Sequence, residues 1–307
     1  MRLLAAWKLR TRTLELGRRT LVMGVVNITP DSFSDGGLFL DTNAAVARCM
    51  QCLDEGAELL DLGAESTRPG SQVGLSPTVS AEEEQARLLP VLEGILKARP
   101  QAIVSVDTYK AATARAALAA GAEIVNDVSG LCWDSGLASV CAEAGCGVVL
   151  MHTRGRPGEW AAQPQLPPDA LLASVQSGLE ASLAQAAAAG IASESIVLDP
   201  GYGFGKRGSE NFALLARQHE LLALGRPLLA GVSRKSFLGQ ALAPLHGGKS
   251  APVNARETAS LAALVTAILN GASIVRVHQV RAAVEAALVA DALLQQASES
   301  AGQQASH

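Results

Sequence analysis

With 307 residues the chain is long enough for two average domains or one α/β barrel, and at 49% hydrophobic it can bury a sizeable core. Aromatic residues are only 3%, so that core is aliphatic and alanine-rich. A net charge of −4 with no basic block argues against a nucleic-acid partner, and no apolar run approaches the ~18 residues of a membrane span.

The chain opens MRLLAAWKLRTRTLEL, a positive start followed by a five-residue apolar run that is too short for a secretory signal. WKLRTRTLEL alternates apolar and polar residues, which predicts a hairpin over residues 1–19, placed to cover the bottom of a barrel. From Thr20 one unit recurs: a short aliphatic run, a polar or glycine-rich stretch, then an alanine/leucine helix. Strands are expected at 21–27, 59–62, 103–107, 124–127, 147–151, 196–199, 228–231 and 274–277. Helices are expected at about 43–55, 81–97, 111–120, 135–144, 168–189, 210–224, 255–269 and 280–295. Caps are expected at Asp41-Thr42-Asn43, at Ser80 before three glutamates, and at Ser135. Gly56, Gly121, Gly145, Gly190, Gly225 and Gly271 stand just past helices, where a left-handed residue belongs.

Eight such units predict a single (β/α)8 TIM barrel over 20–295, with a doubly wound open sheet as the alternative. The barrel is preferred because polar residues end nearly every strand, whereas an open sheet needs them only at its switch point. The helix ETASLAALVTAIL is apolar nearly all round, which suggests a second subunit against it and a homodimer. Residues 296–307 are polar and expected to be a disordered tail. Five cysteines suit reduced thiols and a cytoplasmic protein, and Cys49-x-x-Cys52, inside a helix with no second pair, reads as structural.

The stretch GVVNITPDSFSDGG ends a strand in Asn27 and opens into a loop of ten residues, 29–38, longer than most strand-to-helix connections and so suited to function. Ser66, Thr67 and Arg68 with Pro69 and Gly70 form either an anion contact set or a polar surface loop. Asp107 and Asn126 end neighbouring strands, where they either read a heterocycle or serve as caps. Asp199-Pro-Gly-Tyr-Gly-Phe-Gly-Lys206 sets an aspartate at a strand end, with glycines that let the backbone pass close to a ligand. GVSRKS supplies Lys235 for an anion or carbonyl, and no G-x-S-x-G elbow supports a serine nucleophile. Arg276 and His278 alternate on the last strand, face the same way, and read as an anion clamp. His152 has no partner spacing that would make it a zinc ligand.

Taken together, NITPDSFSDGG, ESTRPG, SVDTYK, NDVSG, LMH, LDPGYGFGK, GVSRKSFLG and RVH, in this order between about Val22 and Val289, resemble the dihydropteroate synthases, the pterin-binding enzymes of folate synthesis. The resemblance implies a transferase that joins 6-hydroxymethyl-7,8-dihydropterin diphosphate to 4-aminobenzoate and releases diphosphate. It implies that Asp107, Asn126, Met151, Asp199, Gly231 and Lys235 hold the pterin. Asn27 would coordinate Mg2+, and Thr67, Arg276 and His278 would join it around the diphosphate. Phe33, Asp35, Arg68, Pro69, Phe204 and Ser236 would shape the 4-aminobenzoate site. A dissociative substitution needs no protein nucleophile, so no covalent catalytic residue is expected. Ala64, the segment MHTRGRPGEW and Gln279 depart from the family's usual pattern. Two other readings stay open: a folate-dependent methyltransferase on the same barrel, and a paralogue that binds pterin without synthesis.

Overall fold

The computed structural model describes residues 2–28, 37–65 and 79–304, and within these not the side chains of 37–41, 298 and 300–304. Two short strands, β1 (Ala5–Lys8) and β2 (Thr13–Leu16), form an antiparallel hairpin. Eight parallel strands follow: β3 (Leu21–Asn27), β4 (Leu59–Gly63), β5 (Ile103–Asp107), β6 (Ile124–Asp127), β7 (Gly147–Met151), β8 (Ile196–Asp199), β9 (Leu228–Ala230) and β10 (Ala272–Val277). They close into a barrel in the order β10-β3-β4-β5-β6-β7-β8-β9, which excludes the open sheet. Both faces of each strand are covered, so the strands read as continuous apolar runs; all five residues of β7 are buried.

The helices are α1 (Gly37–Asp54), α2 (Ala81–Ala98), α3 (Ala111–Ala119), α4 (Leu137–Ala144), α5 (Pro168–Ala188), α6 (Ser209–Arg217), α7 (Ser236–Ala241), α8 (Glu257–Leu269) and α9 (Val280–Gln304). Ser80 caps α2 as expected, accepting the Glu83 amide at 3.1 Å. Two other caps differ. α1 begins at Gly37, so Asp41-Thr42-Asn43 lie within it. At α4 Gly136 rather than Ser135 stands at the N-cap and no side chain caps the helix; the Asp134 carboxylate accepts the Gly136 amide at 2.9 Å and the first amide of α3, Ala111, at 2.8 Å. α7 was not expected, and 218–224 is 3-10 helix rather than a continuation of α6. α9 runs to Gln304 where a disordered tail was expected. Alanine-rich sequence and the Gln295–Glu299 side-chain hydrogen bond at i, i+4 carry it on.

Two apolar layers hold the fold. One lies between the barrel and its helices. The other fills the lower barrel with Met23, Leu59, Ile124, Val149, Val197, Leu229 and Ile274, and is closed from below by Trp7, Leu9 and Leu16 of the hairpin. The Trp7 indole N–H donates to the Ser195 carbonyl at 2.8 Å, so the plug is tethered as well as packed. Gly147 makes room for it: a Cβ there would sit 2.6 Å from a Leu9 methyl.

With the bottom sealed, the open end is the carboxyl end of the strands. There Asn27 pairs in register with Gly63, Gly63 with Asp107, and Asp107 with Asn126. Register partners in a parallel sheet point the same way, so side chains from three strands lie abreast at one level of the mouth. Replacing Trp7, only 1% exposed, with alanine is expected to destabilise the protein by about 3–5 kcal/mol in chemical denaturation. A loss below about 1 kcal/mol would mean that the hairpin is not a plug.

Candidate active site

The mouth is organised by one guanidinium. Arg276 on β10 donates its Nε to Asp61 Oδ2 and a terminal nitrogen to Asp107 Oδ2, both at 2.6 Å. Asp61 Oδ2 also accepts the Asn126 carboxamide at 3.0 Å. Asp61, on β4, is fully buried, whereas the Asp107 side chain keeps 11% exposure. Burial pulls the Arg276 pKa down, but Asp61 and Asp107 outweigh it and the balance is upward. Burial pushes Asp107 up to about 7; Arg276 opposes that rise and Asp61 adds to it. Sequence reading left Asp61 as one more polar strand residue, and its partners lie 65 and 215 positions away.

Asp199 ends β8, is 6% exposed and accepts the Gly201 amide at 2.7 Å. Burial raises its pKa against that hydrogen bond and the nearby Lys235, Arg276 and Lys206. A Cβ on Gly231, just past β9, would lie 3.8 Å from Asp199 Oδ2 and 3.9 Å from Arg276 carbons, so glycine keeps that wall thin. Gly201 has φ +70, and a Cβ on it would meet the His152 carbonyl oxygen at 1.9 Å, so no side chain fits. Lys206 closes this loop from inside, donating to the carbonyls of Gly201 at 2.8 Å and of His152 and Phe204 at 3.2 Å. It is a staple for the loop rather than a phosphate ligand, and burial lowers its pKa to about 7.

Beside the carboxylates lies an apolar shelf of Val128, Met151, Trp160 and Phe204, with Tyr109 and Trp133 packed against it. Trp160 meets Phe204 edge to face at 5.1 Å, and the Lys235 ammonium lies 4.1 Å from the Phe204 ring centre. Trp160 comes from the unusual segment after β7, where a 3-10 turn at Pro157–Ala162 folds it inward. Sequence reading missed it, although a tryptophan in a chain this poor in aromatics was a signal. It also missed Lys110, which bridges Glu65 at 2.6 Å and the buried Glu84 at 3.2 Å, just before the second loop.

His278 Nδ1 lies 3.0 Å from Ser233 Oγ, which also accepts the His278 amide at 3.3 Å. Arg276 and His278 therefore both reach the mouth but face different partners, and the guanidinium engages carboxylates rather than standing open for an anion. Ser236 is the exposed first residue of α7. Phe33, Asp35, Thr67, Arg68 and Pro69 lie outside the described residues.

Among the described residues no cluster of three histidine, cysteine or acidic side chains could hold a metal, and His152 is buried with its pKa well down through burial. One oxygen donor suits a hard cation: the half-buried Asn27 carboxamide, whose oxygen faces Gly63 across from Asp107 Oδ2. All five cysteines are unpaired; burial pushes Cys49 up to about 12, with Cys52 adding to it, so the C-x-x-C thiols are inert. No helix among the described residues is long and apolar enough to cross a membrane.

A family model described as pterin binding enzyme matches residues 23–278. The dihydropteroate synthase of Mycobacterium leprae is 46% identical over 275 residues, 89% of this chain and 93% of that protein. A Xanthomonas albilineans dihydropteroate synthase solved with 4-aminobenzoic acid superposes with TM-score 0.83 at 40% identity, covering 95% of this chain and 98% of that one. The same bacterium's enzyme in complex with 7,8-dihydropteroate gives 0.78 at 38% identity, covering 92% and 97%.

A carboxyl whose pKa is raised on folding adds stability that is full below its unfolded pKa and is lost as pH rises through its folded one. For Asp107 the window runs from about 4 to about 7. Wild type should therefore lose stability relative to Asp107→Asn across that window in denaturant titrations. A difference that is flat or grows would mean that Asp107 is not held up by burial.

Proposed function

The chain belongs to the pterin binding enzyme family, and we infer from its site that it is a dihydropteroate synthase. It condenses 6-hydroxymethyl-7,8-dihydropterin diphosphate with 4-aminobenzoate to give 7,8-dihydropteroate and diphosphate. The observation that carries this reading is the pair of carboxylates, the partly exposed Asp107 and the buried Asp199, at the mouth of one barrel beside an aromatic shelf. Carboxylates in a low-dielectric wall suit the N–H donors of a pterin ring. Asn126 adds a carboxamide, Lys235 a cation, and Met151 and Gly231 shape the ring's bed. Phe204 and Ser236, with Phe33, Asp35, Arg68 and Pro69 from the two loops, are assigned to 4-aminobenzoate.

Asn27, Thr67, Arg276 and His278 are assigned to the diphosphate. Asn27 Oδ1 would hold Mg2+, which takes few protein ligands when phosphate oxygens complete its shell and supplies neutralisation of the leaving group. In the substitution the bond between the exocyclic carbon and the diphosphate oxygen breaks with its electron pair leaving on oxygen. Arg276 and His278 stabilise that charge, and Asp107 and Asp199 stabilise the positive charge spread over the ring. The aminobenzoate nitrogen then forms the new bond and gives up a proton. No protein nucleophile takes part.

A homodimer fits the outer helices. α8 exposes Thr258, Ala262, Thr266 and Leu269 along one stripe, and α9 exposes Leu288, Val289 and Leu293. Unpaired cysteines suit a reducing compartment such as the cytoplasm. Light scattering should give twice the 31.6 kDa of the chain, and a monomer's mass would contradict the dimer. The reaction is tested with purified protein, Mg2+, the dihydropterin diphosphate and labelled 4-aminobenzoate. Labelled dihydropteroate should form and should fall by roughly 100-fold in Asp199→Ala. Wild type that binds the pterin but makes no product would contradict synthesis.

A further inference from the structure

We propose that Asp61 is a positioning residue that holds the Arg276 Nε and so aims its guanidinium at the diphosphate; this rests on the reading of the mouth as a dihydropterin diphosphate site. Asp61 lies in the middle of β4, in register with Val25 and Ser105, two residues below the level of Asp107 and Asn126. Its side chain is fully buried, so it touches no substrate. One of its oxygens nevertheless holds two residues assigned to ligand: the Arg276 Nε at 2.6 Å and the Asn126 carboxamide at 3.0 Å.

The guanidinium is held at two places that differ in kind. Nε, near the stem, is fixed to the inaccessible Asp61. A terminal nitrogen rests on Asp107, which ligand can reach. A ring N–H donor that takes Asp107 Oδ2 must displace that terminal nitrogen. Nε can stay where it is, and the freed fork then turns about it toward the departing oxygens. Without a charge at position 61 the Nε pivot is lost and the freed fork is no longer aimed at those oxygens.

The other Asp61 oxygen supports a functional rather than a packing role. Asp61 Oδ1 and its register neighbour Ser105 Oγ are both buried without a protein partner. A fold seeking only stability would place an apolar residue there, since a buried and incompletely satisfied carboxylate destabilises.

The test is calorimetry of two ligands, the dihydropterin diphosphate with Mg2+ and 6-hydroxymethyl-7,8-dihydropterin without diphosphate, on wild type, Asp61→Asn, Arg276→Ala and the double variant. Asp61→Asn should weaken the diphosphate ligand by at least ~10-fold and the other by less than ~3-fold. On the Arg276→Ala background it should change diphosphate affinity by less than ~3-fold, because residues acting through one another do not add. Asp61→Ser, equally uncharged, must give the same selective loss if Asp61→Asn does not fold. Equal losses on both ligands, or additive losses in the double variant, would overturn the proposal while leaving the pterin reading intact. Wild type that binds neither ligand would overturn that reading and the proposal with it.

Discussion

Three carboxylates, two of them buried, converge on one open end of a barrel, and a single guanidinium holds two of the three there. Asp61, Asp107 and Asp199 lie where water is scarce; burial raises the pKa of Asp107 and of Asp199, and the Asp61 charge adds to the rise at Asp107. Arg276 opposes that rise for Asp107, and Lys235 and Lys206 join it around Asp199. Buried ion pairs are weak stabilisers, because desolvation offsets most of their attraction. On the proposed function the cluster has a reason other than stability: the carboxylates would take N–H donors and the cations anionic oxygens.

That arrangement depends on sealing the other end. Trp7, Leu9 and Leu16 fill the bottom of the barrel with apolar surface, so only the upper layer is left for polar side chains. Parallel register then does the positioning. Asn27, Gly63, Asp107 and Asn126 are successive partners across four strands, and glycine at the second place leaves room between the asparagine and the aspartate. The glycine loop after β8 is held by Lys206 on three carbonyls, and this fixes Phe204 beneath Lys235.

Much of this was legible in the sequence. Every barrel strand is a short apolar run that ends in, or is directly followed by, a polar or glycine residue, so strands such as 103–107 and 196–199 are found to the residue. The residues proposed for the site at or next to strand ends, Asp107, Asn126 and Asp199, stand out for the same reason. Local pattern misleads where neighbours decide. Ser135 reads as a helix cap, yet Gly136 takes that place and the neighbouring Asp134 carboxylate is engaged by the first amide of α3. The polarity of 296–304 reads as disorder although its alanines and glutamines continue a helix. The grip of Asp61 on Arg276 was out of reach, since it joins residues 215 apart through barrel closure. Trp160 reaches the shelf through a turn whose direction no periodicity encodes.

The most direct measurement is a crystal structure of the protein with the dihydropterin diphosphate bound. The expected result is Asp107 and Asp199 within about 2.6–3.2 Å of ring nitrogens, the Arg276 terminal nitrogen moved from Asp107 to the diphosphate, and its Nε still on Asp61. A ring seated elsewhere, with the Arg276–Asp107 contact intact, would contradict the assignment of this mouth as the site of dihydropteroate synthesis.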